Sequence, residues 1–273
     1  MGNEHGLFSV AITLLQPVQN LLILAALASL RLTAAFALLP PMGETFLRGF
    51  TRQGFITIIA LFIAFGVPVS AVEGLGFYEL LAHGGKEVVI GLMMGFAGAQ
   101  VFWIAQSVGA YIDTQSGFNN VQLTNPLSGQ QSTPVSDLLL NVVVVVFFSM
   151  GGMLVFLGAV FDSFHVWPLL APLPDWQKVG DLFAADQTQS MMAGVVKFAA
   201  PMLIVLMLID LGFGLVTRSA SKLEVSSLSQ PVKGAVTVLM LALMIATLVD
   251  QVHDLLLPTG LLAQLKAAMG VKP

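Results

Sequence analysis

The chain has 273 residues, a net charge of −4, 56% hydrophobic and only 10% charged positions, and a mean hydropathy of +0.89. Soluble domains carry roughly 25% charged residues, so these charges are too few to cover a soluble surface, and the composition is that of an integral membrane protein. The acidic balance argues against a nucleic-acid partner, and the lack of cysteine excludes disulfides, thiolate metal sites and cysteine nucleophiles.

A helix needs about 20 mainly apolar residues to cross the hydrocarbon core of a bilayer. Six stretches have that character: residues 21–39, 55–72, 88–110, 138–160, 191–216 and 235–257. They are too long and too uniformly apolar for the alternating strands of an outer-membrane barrel. An all-α membrane fold of about six long helices is therefore expected. A shorter apolar piece, residues 7–15, meets Gln16-Pro17 and reads as an interfacial or partly inserted helix. No Lys or Arg precedes Arg31, so the first long stretch does not read as a secretory signal peptide.

The connections differ in charge. Residues 42–54 carry Arg48 and Arg52, and residues 73–87 are mainly acidic. Residues 161–190 hold Lys178 and four Asp. Lys and Arg divide almost evenly between the two sides of the membrane. The clear exception is residues 217–233, with Arg218, Lys222 and Lys233, a cluster expected to face the cytoplasm.

Residues 111–137 contain no Lys or Arg and are rich in Gln, Asn, Ser, Thr, Gly and Pro. Long irregular connections are often functional. Gly109 and Gly117 allow tight turns, and Asp113 and Gln115 can tie them by hydrogen bonds. A compact, self-bonded segment of this kind is suited to a cavity.

No catalytic signature is present. His5, His83, His165 and His253 have no helical partner at metal-ligand spacing. Gly74-Leu-Gly76 and Gly212-Phe-Gly214 lack a third glycine and a preceding strand, and there is no phosphate loop. Neither an enzyme nor a cofactor is expected.

Polar residues nevertheless interrupt the apolar runs, where a charge costs about 2.5–3.5 kcal/mol on insertion scales. They are Arg31, Gln100, Gln106, Lys197, Asp210 and Asp250. One intramembrane charge reads either as part of a solute or proton pathway or as packing glue. Several in one short chain favour helices covered largely by other protein. Gly91-x3-Gly95, followed by Gly98, adds a surface for close helix approach.

The ordered set of Lys86-Glu87 with Gly91 and Gly95, Gly109-x3-Asp113-x-Gln115-x-Gly117, and Asn125-Pro126 resembles the SctT/FliR family. So do Ser163-x4-Pro168, Pro201 with Asp210, Gly214 and Arg218, and the Pro231-x-Lys233 ending. The likeness covers roughly residues 31–233. It departs at Ala220-Ser-Lys-Leu-Glu224-Val-Ser226, where members often read Ala-Pro-Gln-Leu-Asn-Val-Phe.

The resemblance implies a single-copy subunit of a type III export gate in the bacterial inner membrane, where unfolded secretion substrates cross. It implies SctR/FliP-type and SctS/FliQ-type partners, and a SctU/FlhB-type switch protein. Residues 1–190 would be the SctR/FliP-like part and residues 191–273 the SctS/FliQ-like hairpin. By position, Gly109, Asp113, Gln115, Gly117, Asn125 and Pro126 would belong to a loop that plugs the closed pore. Arg31, Glu87, Gly91, Gly95, Lys197, Asp210, Arg218 and Lys233 would serve assembly within the membrane. The flagellar paralogue is the nearest alternative. A small-solute transporter would call for internal repeats with broken helices, which the sequence does not display, and a bare membrane anchor leaves the long connection free of Lys and Arg without a purpose.

Overall fold

The computed structural model describes residues 3–43, 47, 49–118, 123–124, 131–172, 176–219 and 226–256. Among these, the helices are α1 (Asn3–Leu38), α2 (Gly49–Phe65), α3 (Phe77–Ser116), α4 (Pro134–Ser149), α5 (Gly152–Val166), α6 (Trp176–Ser219) and α7 (Ser226–Leu256). Short 3-10 turns at Pro40–Met42 and Val69–Val72 flank α2. A two-residue antiparallel ladder pairs Leu123 with Ser132 and Thr124 with Gln131. The fold is all-α and membrane-spanning in character.

The number of spans differs from the expected six. Four helices are long and apolar enough to cross a bilayer: Leu15–Leu38, Phe77–Ser116, Gln187–Ser219 and Leu228–Thr247. The stretch 55–72 is not one span, because α2 is only 17 residues long and stops at Phe65, before Gly66 and Pro68. The stretch 138–160 is broken into α4 and α5, which are bent by 70°. Gly151, at φ +73, makes the break, since that backbone conformation is open mainly to glycine. The pair counts as a fifth, broken span or as a re-entrant element. Residues 7–15 are not a separate helix either. α1 runs through Pro17, which removes one backbone hydrogen bond without ending the helix.

The connection 111–137 is shorter than its composition suggests. α3 continues to Ser116 and α4 begins at Pro134, so Gly109, Asp113 and Gln115 lie on a helix. Asn125 and Pro126 lie outside the described residues.

The chain forms two compact units, each discontinuous in sequence. Residues 1–98, 158–179 and 261–273 make one, and residues 99–157 and 180–260 make the other. The expected boundary at residue 190 falls inside α6.

In the first unit, Leu24, Leu27, Ala28, Leu32, Ala35 and Phe36 of α1 are buried at helical spacing. α3 meets this helix through its glycines. A Cβ on Gly91 would fall on the Arg31 carbonyl and within 2.8 Å of Ala34 Cβ, and one on Gly95 would fall on the Ala35 backbone. The GxxxG pair thus admits one turn of α1 backbone. Phe36 stacks on Phe55 of α2 with ring centroids 6.0 Å apart.

In the second unit, Val135, Leu139, Val143 and Phe147 form the buried stripe of α4. Phe147 meets Phe102 of α3 edge to face at 5.1 Å. α6 buries Val195, Phe198, Ala199, Met202 and Leu206 in the same manner. α7 is different, because only 11% of its most apolar window is buried.

Replacing Gly91 or Gly95 by Leu should separate α1 from α3 and cost about 1–3 kcal/mol or more. The expected result is a clear fall in the unfolding temperature of the detergent-solubilised protein. Gly85→Ala, where a Cβ meets nothing within 4 Å, should leave it unchanged or raise it.

Candidate functional site

The candidate residues assemble into one group in the first unit and two in the second. The first group is built on Arg31, Lys86 and Glu87, all with fully buried side chains. Arg31 Nε donates to Glu87 Oε2 at 2.6 Å and Nη2 donates to Oε1 at 3.0 Å, a two-pronged pairing that only a planar guanidinium makes. Nη1 donates to Ser163 Oγ at 3.0 Å, Nη2 also donates to the Trp167 carbonyl at 2.9 Å, and the guanidinium carbon lies 3.8 Å from the Phe164 ring centre.

Lys86 Nζ lies 3.3 Å from Glu87 Oε1 and donates to the carbonyls of Pro168 at 2.9 Å, Leu169 at 2.7 Å and Ala171 at 3.2 Å. The two cations and one carboxylate leave one net positive charge. It sits where the carbonyls at and beyond the C-terminus of α5 gather negative potential. Arg31 and Lys86 therefore add to His165, the basic residue of α5's own last turn, in answering these carbonyls. Every nitrogen of the Arg31 guanidinium thus has a hydrogen-bond partner.

The second group explains Gly109-x3-Asp113. Its two members are one turn apart on α3 and face the start of α4. A Cβ on Gly109 would fall on the Ser136 backbone, so only glycine lets α4 come this close. Buried Asp113 accepts hydrogen bonds from the backbone N–H of Val135 (3.0 Å to Oδ2) and of Ser136 (3.0 Å). Thr133 stands at the N-cap without a side-chain cap bond, and Pro134 has no N–H to satisfy. Asp113 supplies the missing cap, with a carboxylate at the positive end of α4. Ser136 Oγ donates to the Gln106 carbonyl at 3.0 Å and closes the contact. A cleft of about 480 Å³ opens beside it, bordered by Trp103, Gln106, Ser132, Thr133 and Met191.

The third group joins the end of α3 to α6 and α7. Lys233 Nζ lies 2.6 Å from Asp210 Oδ1 and donates to the Gln115 carbonyl at 3.1 Å. The Gln115 side chain donates to Asp210 Oδ2 at 3.0 Å, which closes a triangle. Gly117, at φ +83, ends α3, and its carbonyl accepts from Gln230 Nε2 at 3.4 Å. The side chain of Gln230 fills the space a Cβ on Gly117 would need.

Other candidates stay apart from these groups. Gln100 donates to the Gln187 carbonyl at 3.0 Å and ties α3 to α6. Lys197 is exposed on α6, 5.7 Å from the neighbouring Phe198 ring, and among the described residues no carboxylate pairs with it. Arg218 is exposed in the last turn of α6, where a cation suits the helix dipole. Asp250 is exposed on α7. Among the described residues, no three His, Asp or Glu side chains gather closely enough to hold a metal ion.

Sequence reasoning missed Phe164, Ser136 and Gln230. A usable signal existed for Ser136 in Thr133-Pro134, a helix start lacking a cap bond of its own. Phe164 and Gln230 carry no pattern that marks them.

Arg31→Ala removes the forked partner of Glu87 and leaves it only Lys86 at 3.3 Å, and should cost up to about 3–5 kcal/mol. The expected result is a severe loss of folded protein, with Arg31→Lys intermediate because it loses the fork of donors. Asp113→Ala should cost about 1–2 kcal/mol through the lost cap, measured by thermal unfolding in detergent.

Residues 22–258 match the family described as bacterial export proteins, family 1. Yop proteins translocation protein T of Yersinia pestis is 30% identical over 227 residues, which is 83% of this chain and 87% of the relative. Flagellar biosynthetic protein FliR of Bacillus subtilis is 28% identical over 221 residues, 79% of this chain and 83% of the relative. Surface presentation of antigens protein SpaR of Salmonella typhimurium is 25% identical over 236 residues, 83% and 84% of the two chains. Identity to the Yop translocation protein, at 30%, exceeds the 28% to the flagellar relative, and with a match running through all three residue groups the chain belongs to family 1 of the bacterial export proteins, the SctT/FliR family.

Proposed function

We propose that this protein is a structural subunit of a type III secretion export gate in the bacterial inner membrane, forming part of the closed pore through which unfolded proteins pass. The observation that carries this reading is the convergence of the family's polar residues on the two ends of the connection between α3 and α4. Asp113 and Gly109 fix the start of α4, while Gln115 and Gly117 are held by Asp210, Lys233 and Gln230. A segment with both ends seated on neighbouring helices is suited to closing a passage. Gly109, Asp113 and Gln115 then form its seat, and residues 117–126, including Asn125 and Pro126, are the closure element.

The bare surface of α7 supports a role inside a larger assembly. Its stripe Val232, Leu239 and Leu243 is exposed and continues toward Asp250, while α6 exposes Lys197 with Ile204, Leu208, Leu211 and Leu215. Apolar faces interrupted by charges that pair with nothing among the described residues suit protein neighbours better than lipid. The neighbours in this reading are SctR/FliP-type and SctS/FliQ-type subunits and a SctU/FlhB-type switch protein, with residues 1–190 on the SctR/FliP-like side and residues 191–273 as the SctS/FliQ-like hairpin. Residues 217–233 then face the cytoplasm. The energy for transport comes from other components.

Deleting residues 119–123 in the assembled gate should let ions leak across the inner membrane, measured as conductance in cells expressing the complete gate. A deletion variant that assembles normally and stays as tight as the parent overturns the closure role. Expressed alone, the protein should aggregate or be degraded, whereas co-expression with the two partner types should yield a detergent-stable complex. A long-lived, monodisperse monomer would contradict that partner dependence.

A further inference from the structure

The triangle of Gln115, Asp210 and Lys233 does more than fill space. Three helices meet there, and each contributes a group the other two need. The last carbonyls of α3 have no intrahelical donors. Lys233, on α7, donates to one of them, at Gln115, and so acts as the C-terminal cation of a helix to which it does not belong. Asp210, on α6, holds the Lys233 ammonium with one oxygen and accepts from the Gln115 amide with the other.

Unlike the buried Arg31 group, this one is partly open at the surface of the chain. The Lys233 side chain is 12% exposed and that of Asp210 is 39% exposed. A partly exposed ion pair is weak and screened by salt, so it can open and close without unfolding its surroundings. Immediately beyond it, Gly117 has the backbone freedom to redirect the chain, and Phe118 rests half-buried against Gly234 of α7, with 3.2 Å between its ring and the position of a Cβ there.

We propose that Asp210 and Lys233 form a reversible latch that holds the C-terminal end of α3 on the α6–α7 hairpin, so that breaking this one ion pair frees the end of α3. The link to gating rests on the export-gate reading, whereas the latch itself is tested separately. A cation competes for the latch at its open side, the Asp210 carboxylate. Added salt and the basic side chains of a partner or a passing polypeptide share that chemistry.

The chain contains no cysteine, so Phe118→Cys gives a single reporter in this subunit, followed on its own band in the co-expressed, membrane-embedded complex. Its rate of labelling by a water-soluble maleimide should rise about fivefold with Lys233→Gln or with Asp210→Asn, the change expected of about 1 kcal/mol. The double variant should rise no further, because both substitutions break the same contact. Lys233→Arg, which keeps the charge and the donors, should stay near the parent rate. Without either substitution, raising the salt concentration should also speed labelling, a readout that survives if a variant fails to assemble. Unchanged labelling in assembled variants, or a salt-independent rate in the parent, overturns the latch. A rise with Lys233→Gln alone overturns the ion pair as its working part.

Conductance separates the two readings. If the deletion of residues 119–123 leaks while assembled latch variants stay tight, the closure element stands and the latch does not control it. If the deletion stays tight while labelling still responds, the latch stands and the closure reading falls.

Discussion

A charge placed among apolar side chains must bring its own solvation, and in this protein that requirement organises the first unit. Arg31 cannot be hydrated where it lies, so Glu87, Ser163 and the Trp167 carbonyl take the place of water. Lys86 would be equally costly alone, and it is accommodated by the carbonyls beyond α5. The close approach of α1 and α3 at Gly91 and Gly95 brings these groups into hydrogen-bonding range. Small residues and charged residues are therefore one device: the glycines set a distance that the ions require, and the ions fix which turn of α1 meets which turn of α3. Replacing the whole cluster by apolar side chains need not destabilise such a site, since buried ion pairs contribute more to register than to net stability.

The second unit solves a related problem with less burial. α4 starts without a cap bond of its own, and a carboxylate from α3 completes it. α3 in turn ends with an unsatisfied carbonyl, and an ammonium from α7 answers it. Each helix end in this chain of contacts is satisfied by a side chain from another helix, so the termini are positioned by tertiary contacts as well as by local sequence. The three groups also differ in burial within the chain, from complete at Arg31 to partial at Asp210.

Much of this was legible beforehand. Composition and the length of the apolar runs indicate the membrane-helical class, and the intramembrane charges pointed to helices covered by other protein; Arg31 and Asp210 have partners within the chain itself. Their partners were not legible, because Arg31 and Glu87 are 56 residues apart and Gln115 and Asp210 are 95 apart, far beyond any helical period. The stretch 138–160 reads as one span because hydropathy does not register the conformation of one glycine. The connection 111–137 reads as irregular because Gln, Ser and Thr depress apolar periodicity even where tertiary bonds hold a helix to Ser116. Lys197 and Asp250 remain exposed, and their solvation is not provided within the described residues.

The sequence separation within the Arg31 cluster has a consequence for biosynthesis. Arg31 and Ser163 are 132 residues apart. At about 5–20 residues per second, Arg31 emerges on the order of ten seconds before the last of its partners. During that interval the guanidinium has at best Glu87 for company, and α1 is a poor substrate for release into lipid. The nascent chain must be retained in a protein or aqueous environment until α5 and the carbonyls beyond it arrive. A chain truncated before residue 163 lacks the Ser163 hydroxyl and the Trp167 carbonyl, and its Arg31 is left with only the Glu87 part of its solvation.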